Sequence, residues 1–359
     1  VRRRAHARGD PDDVLTMGVE EEFLLLGPDG AVVPAARSVV RDARGADQIK
    51  PEYMAYQLET STRVCEDLDE LRRDLIRLRR VAAEAAGQAG AYLVATGSAP
   101  LAGGPRDALT DEERYRELAR RFPDATAEGG TCGCHVHIGV PDRELAAAVL
   151  TRLRPWLPVL LAFTVNSPFV AAHDTGWASS RYPAQLRWPT FRPPGVWASA
   201  ERYDRAVQDH VDSGTAMDPA GVYFLARLSP RYPTIEVRVA DTCLDVADSV
   251  LFAAVVRALV AGLQDDVQRQ EKIVPTPDGR IGADLETAAR GRLRQESRLL
   301  AKIDPYLGAD LAAVHAGFAR LRREGTGADR QRRLWARHGA GADFVRELAQ
   351  ATTPAVTAR

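Results

Sequence analysis

The sequence predicts an α+β fold, with one sheet covered by helices on one face and open on the other. Three observations predict it. At least four extended stretches alternate acidic, imidazole or guanidinium side chains with apolar ones, so each stretch has a wet face and a dry face. Long segments carry aliphatic residues at helical spacing, which suits helices packed on the dry side. No fixed-period repeat or inter-domain linker interrupts the chain, so residues 15–350 are expected to form one domain. A disordered tail is expected at 1–14 and a frayed tail at 351–359.

The bulk numbers narrow the class. The chain has 359 residues, 45% of them hydrophobic, and a formal charge of −1. That suffices for a sizeable core and argues against nucleic acid as a partner. Cys65, Cys132, Cys134 and Cys243 are too few for a disulfide scaffold in a chain this long. A zinc site made of Cys132, Cys134, His135 and His137 would require one strand to wrap a tetrahedron. The first fourteen residues lack the apolar stretch of a signal peptide, and the most apolar segment, residues 157–165, is too short to span a bilayer. A cytoplasmic protein with no membrane partner is expected. Arginine-rich helical surfaces permit a homo-oligomer without requiring one.

The first strand is expected at 15–26, followed by a Gly27-Pro28-Asp29-Gly30 turn and a return strand at 31–34. Glu20 and Glu22 share one face of the first strand, while Val19, Glu21 and Phe23 share the other. Two carboxylates on one strand face repel unless a cation lies between them. An extended stretch within 53–63 adds Glu59. A helix follows with Leu68, Leu71, Leu75 and Leu78 on its apolar face, and Arg72, Arg73, Arg79 and Arg80 are read as its solvated side. Residues 91–96 form a small strand.

Cys132-Gly133-Cys134-His135-Val136-His137-Ile138-Gly139-Val140 then places two imidazoles on one strand face, which suits a divalent metal or a phosphate. A helix starts at Asp142 and runs to Leu153, where Pro155 and Pro158 interrupt it. Residues 171–197 hold three tryptophans and four prolines without a clear period, and read as a loop lining a substrate pocket. A helix at 201–211 and strands at 223–226 and 234–240 follow. Glu236 and Arg238 share a face of the last strand. A strong helix occupies 245–270, and the remainder is helical.

Collected, the open face presents Glu20, Glu22, Glu59, His135, His137, Glu236 and Arg238. So many charges converging on one cavity require cations. Carboxylates with an occasional imidazole suit magnesium or manganese better than zinc, and magnesium commonly bridges to phosphates. The chain has neither a Gly-x-x-x-x-Gly-Lys-Ser/Thr loop nor a Gly-x-Gly-x-x-Gly after a strand. A triphosphate would therefore be held by metals and arginines.

Seven motifs carry a family resemblance. They are Met17-Gly-Val-Glu-Glu-Glu-Phe, Gln57-Leu-Glu-Thr-Ser-Thr, Ala95-Thr-Gly-Ser-Ala-Pro, the Cys132–Val140 stretch, Asn166-Ser-Pro-Phe, Asp174-Thr-Gly-Trp-Ala-Ser-Ser-Arg and Pro233-Thr-Ile-Glu-Val-Arg-Val-Ala-Asp. In this order they resemble the carboxylate–amine ligases of the glutamate–cysteine ligase type 2 family. The resemblance implies a glutamine synthetase-like fold, a curved antiparallel sheet forming a funnel with helices outside. It also implies ATP-dependent amide formation, typically on the γ-carboxylate of glutamate, through an acyl phosphate. It places magnesium or manganese on Glu20, Glu22, Glu59, His135 and Glu236. Arg238 and Arg227 fall where phosphate or substrate carboxylate is contacted, and Glu59 joins them in catalysis. Arg181, Trp177, Asp174 and His137 fall on the substrate side. Pro183, and Leu228 in Arg227-Leu228-Ser229, depart from the family pattern and leave the amine open. A non-catalytic binding protein on the same fold and a metal-dependent hydrolase are the alternatives.

Overall fold

The computed structural model describes residues 15–43, 47–103, 108–127, 129–273 and 276–353. Its strands are β1 (Met17–Leu26), β2 (Ile49–Pro51), β3 (Gln57–Ser61), β4 (Tyr92–Val94), β5 (Gly133–Gly139), β6 (Phe169–Val170), β7 (His173–Asp174), β8 (Ala226–Leu228) and β9 (Thr234–Asp241). β1 lies mid-sheet because its alternation serves two environments and its length admits several partners. The sheet order is β2-β3-β1-β5-β9-β8, with β4 paired to the end of β1, and every pairing is antiparallel. The sheet is open. A register shift between Cys134 and Val136 against β9 leaves His135 at an irregularity that re-aims its side chain.

Helices cover the dry face. Val19 of β1, Val136 and Ile138 of β5, and Val237 and Val239 of β9 enter one core with the helices Arg143–Leu153, Leu157–Thr164 and Val246–Gln268. Phe23, Leu25 and Leu58 pack with Leu78 and Ala82 of the helix Leu68–Gln88. Asp67, Asp142 and Asp245 cap three of these helices, each accepting a hydrogen bond from the backbone N–H three residues on. Two helical stretches, Arg143–Thr164 and Val246–Gln268, are long and apolar enough to cross a membrane by length and composition. However, 78% and 83% of their apolar windows are buried inside the protein, as core helices are.

One polar pair sits inside this dry layer. Glu21, 0% exposed, lies on the back of β1 between the two carboxylates that face forward, and Arg79, 1% exposed, meets it from the helix Leu68–Gln88. Arg79 Nε donates to Glu21 Oε2 at 2.9 Å and Nη2 donates to Oε1 at 2.6 Å. The same guanidinium donates to the carbonyls of Cys243, Leu244 and Thr352, and Ser249 Oγ donates to Glu21. The solvated role read for Arg79 is thus corrected. Its position shares the inward face with Leu75 and Leu78, and the charge is tolerated because its donors reach fixed acceptors.

Other differences are local. The return strand at 31–34 reduces to a single bridge, Leu26 to Val32. The strand expected at 223–226 shifts to Ala226–Leu228, where pairing with β9 is available. The irregular region 171–197 contains β7 and a short helix, Arg181–Gln185, with Pro183 in its first turn. The last described helix, Ala342–Thr352, runs past the expected end at 350. Thr352 is 0% exposed, and its Oγ1 accepts a hydrogen bond from Ala95 N at 2.9 Å, so its place in a frayed tail is corrected. Residues 1–14 and 354–359 lie outside the described residues.

Removing one partner of the Arg79–Glu21 pair strands a buried charge. Arg79→Met is expected to destabilise the fold by roughly 3–5 kcal/mol, and the Arg79→Met/Glu21→Leu double variant by less than the sum of the single changes. Urea denaturation of the four proteins measures this.

Candidate active site

The wet face of the sheet floors a cleft. Glu20 and Glu22 of β1, Glu59 of β3, His135 and His137 of β5, Glu236 and Arg238 of β9, and Arg227 of β8 all line it. Strand register brings them together. Glu22 stands opposite Glu59, Glu20 opposite His135, and Glu236 opposite both His137 and Arg227. Counting the solvent at its mouth, the cleft encloses about 1350 Å³.

The donor set fits divalent cations. One oxygen each from Glu20 and Glu236 and one nitrogen from His137 lie within 4.8 Å of one another. Thr234 Oγ1 engages His137 Nδ1 at 2.9 Å, which leaves Nε2 facing Glu20 at 3.6 Å. His135 approaches Glu20 through Nδ1 at 3.4 Å and Glu22 through Nε2 at 3.9 Å. The Nε2 atoms of both histidines are buried without a hydrogen-bond partner, as expected of positions waiting for an electrophile. In this geometry His137, assigned to substrate by sequence, is as well placed for a metal as His135.

Electrostatics divide the carboxylates. Burial pushes Glu20 up, but hydrogen bonds and charge from His135 and His137 outweigh it and hold the carboxyl well below its usual range. Burial likewise raises Glu236, and Arg238 and Arg227 more than offset it. For Glu59, relief from Lys50 is too weak to offset the opposing influences. Burial first, then repulsion from Glu52, Glu20 and Glu22, pushes it well above the ordinary carboxyl value. Burial and the charge of Glu22 push Glu52 up to about 8. Burial, followed by the charge of Arg238, pushes the His135 imidazole down.

The arginines take different parts. Arg227 grips Glu236 with two hydrogen bonds, Nε to Oε2 at 2.7 Å and Nη2 to Oε1 at 3.1 Å. Its Nη1 donates to the carbonyls of Ala220 and Val222, both at 2.9 Å. The guanidinium is thus engaged in fixing Glu236 and is poorly placed to clamp a ligand. Arg238 bonds Glu236 through Nη1, lies 3.4 Å from His135 Nδ1 and stands over the Tyr223 ring. Arg181 lines the cleft, with long hydrogen bonds to the carbonyls of Val239 and Arg238 and an Nε without a partner.

Asp174 and Trp177 are not among the residues lining the cleft, which corrects their substrate assignment. Asp174 pairs with Arg332, at 2.8 Å to Nε, and the Trp177 ring lies 3.9 Å beneath the Arg290 guanidinium. Their motif turns away before Arg181 enters the site. Glu52 was missed by sequence because it lies in the irregular segment between β2 and β3, where alternation gives no face. Tyr53, Tyr115, Trp188 and Tyr223 form an aromatic wall, with Trp188 and Tyr223 centroids 5.0 Å apart. Tyr115 comes from the helix Glu113–Arg121 and the other three rings from separate loops, so they carry no common spacing.

An open antiparallel sheet with carboxylates, imidazoles and arginines converging on its polar face defines the glutamine synthetase-like class of ligases. The chain belongs to glutamate–cysteine ligase family 2 (GCS2), which matches residues 16–346. A Salinispora tropica protein, provisionally named glutamate–cysteine ligase 2, is 43% identical over 371 residues, covering 97% of this chain and 98% of its own. A Mycolicibacterium vanbaalenii protein, provisionally named glutamate–cysteine ligase 2-2, is 41% identical over 361 residues, covering 95% and 98% respectively. The crystal structure of glutamate–cysteine ligase from Francisella tularensis in complex with AMP shares the fold, with a TM-score of 0.71 over 95% of this chain and 89% of that one, at 14% identity.

The crowded carboxylates make metal-free stability depend on pH. A carboxyl raised in the folded state contributes stability below its unfolded value, and that contribution is lost as pH rises through the folded value. For Glu52 this window runs from 4.5 to about 8. The metal-free thermal midpoint should therefore fall across this window, and magnesium should flatten the fall. Scanning calorimetry in EDTA and in excess magnesium checks it; identical slopes would contradict the assignment.

Proposed function

We propose that this protein is an ATP- and magnesium-dependent carboxylate–amine ligase, with glutamate as the acid. The observation that carries this reading is the crowding of Glu20, Glu22, Glu52 and Glu59 beside two unpartnered imidazole nitrogens and Arg238 on the floor of one cleft. Such a charge pattern suits cations and phosphoryl oxygens together. Glu20, Glu22, Glu59, Glu236 and His135 or His137 would hold magnesium, which supplies charge neutralisation between a phosphate and the carboxylate that attacks it.

In this reading the γ-phosphoryl group of ATP passes to the substrate carboxylate, releasing ADP and leaving an acyl phosphate. An amine then attacks the acyl carbon, and inorganic phosphate departs as the amide forms. Arg238 offers a planar cation at the floor, held in aim by Glu236, to the transferred phosphoryl group. Arg227 acts through Glu236. Glu52, which lines the cleft and is not among the residues that would hold magnesium, is suited to accept the proton the amine loses. Arg181 offers its buried guanidinium to a substrate carboxylate. The aromatic wall excludes water, protecting the acyl phosphate from hydrolysis.

ADP release with ATP and magnesium is expected to require both glutamate and an amine, with mass spectrometry finding the matching amide. ADP released equally without acid or amine would contradict the proposal. Arg238→Ala is expected to lower kcat by about 10²–10³-fold, as loss of a group that stabilises transition-state charge does. Steady-state kinetics of a folded variant measures it, and a near-native rate would remove Arg238 from that role.

A further inference from the structure

Behind the cleft wall, Asp241 ends β9 fully buried and is not among the residues lining the cleft. Its carboxylate nevertheless accepts three short hydrogen bonds. Oδ2 takes them from Asn166 N at 2.8 Å and Ser167 Oγ at 2.7 Å, and Oδ1 takes one from Ser179 Oγ at 2.7 Å. Three donors on two oxygens suit an ionised carboxylate with no proton of its own to place. Each serine then passes the constraint on. Ser167 Oγ accepts from Arg181 N at 3.3 Å, and Ser179 Oγ accepts from Tyr182 N at 3.2 Å.

Two glycines make room for this arrangement. A Cβ at position 97 would stand 2.8 Å from Ser167 Oγ and 2.9 Å from Asp241 Cγ. One at position 133 would stand 2.6 Å from Arg181 Nη2. Among the described residues the Arg181 side chain has no ion-pair partner, although it is only 4% exposed and lines the cleft. Burial pushes the Asp241 carboxyl up, and the charge of Arg181 is the foremost influence opposing that rise.

We infer that Asp241 is a positioning residue that aims Arg181 at a substrate carboxylate, through Ser167 and Ser179 and without touching the substrate. The inference rests on the ligase reading, in which Arg181 receives that carboxylate. A buried cation with few partners is a strong anion receptor only if its backbone is held, because a displacement of about 1 Å can cost roughly a hundredfold in turnover. Asp241 supplies that hold and a compensating charge from the side opposite the cleft.

The test uses the full chain, with the acid and amine identified by the ADP assay. Asp241→Asn and Ser179→Ala are expected to raise the KM of one carboxylate-bearing substrate by about 10- to 100-fold. The KM for ATP should stay within about twofold, because ATP is held elsewhere in the cleft. Ser179→Thr keeps the hydroxyl and is expected to restore much of the loss. A purely structural role would lower thermal stability and leave this KM split absent. Equal KM values in a folded Ser179→Ala variant and the native protein would overturn the inference alone. A parallel rise in all KM values, including that for ATP, would also overturn it. A native protein with no amide-forming activity would overturn both the inference and the ligase reading beneath it.

Discussion

The ion pair between Glu21 and Arg79 underlies the rest of the structure. β1 carries three consecutive glutamates, and strand geometry sends the middle one backward into the apolar layer while its neighbours face the cleft. A lone carboxylate there would be intolerable, and a one-residue slip would move Glu20 and Glu22 into the core instead. Arg79 resolves this by meeting Glu21 with two hydrogen bonds and the carbonyls of Cys243, Leu244 and Thr352 with others. One guanidinium thus ties the central strand to the helix Leu68–Gln88, to the turn after β9 and to the helix Ala342–Thr352. The register that places the cleft carboxylates is locked from behind.

In front, the structure tolerates the opposite condition. Glu22, Glu52 and Glu59 share a region with too little protein cation, and Glu59 and Glu52 are pushed toward their neutral forms as a result. Glu236 is instead paired with Arg227 and Arg238. The floor of the cleft therefore has a balanced end and an acidic end. Divalent cations at the acidic end and phosphoryl oxygens near Arg238 would neutralise both together, which is the electrostatic logic of phosphoryl transfer. A site incomplete without its ligands in this way is what a ligase of two anionic substrates requires.

Much of this was legible before the structure. Alternation alone placed Glu20, Glu22, Glu59, His135, His137, Glu236 and Arg238 on strand faces, and antiparallel pairing did bring those faces together. Function-bearing residues outside regular strands were not legible in the same way. Glu52 sits between strands, and the aromatic wall comes from one helix and several loops, so no period marks them. Arg79 was misread because an arginine in a helical charge run resembles its solvated neighbours, and only tertiary packing shows that its position faces inward. Asp174 and Trp177 were carried along with Arg181 by their motif, although the chain turns between them and the cleft. Proximity in sequence survived only where a strand or a short helix carried it into space.

In the proposed reading, the open face of β1 and its neighbours is a cation site built for phosphate chemistry. Crystals soaked with manganese and a non-hydrolysable ATP analogue test it most directly, read by anomalous scattering. Manganese peaks are expected within reach of Glu20, Glu22, Glu59, Glu236 and the paired histidines, with the analogue's phosphates between metal and Arg238. Phosphates bound elsewhere, or manganese absent from the cleft while the analogue is bound, would contradict it.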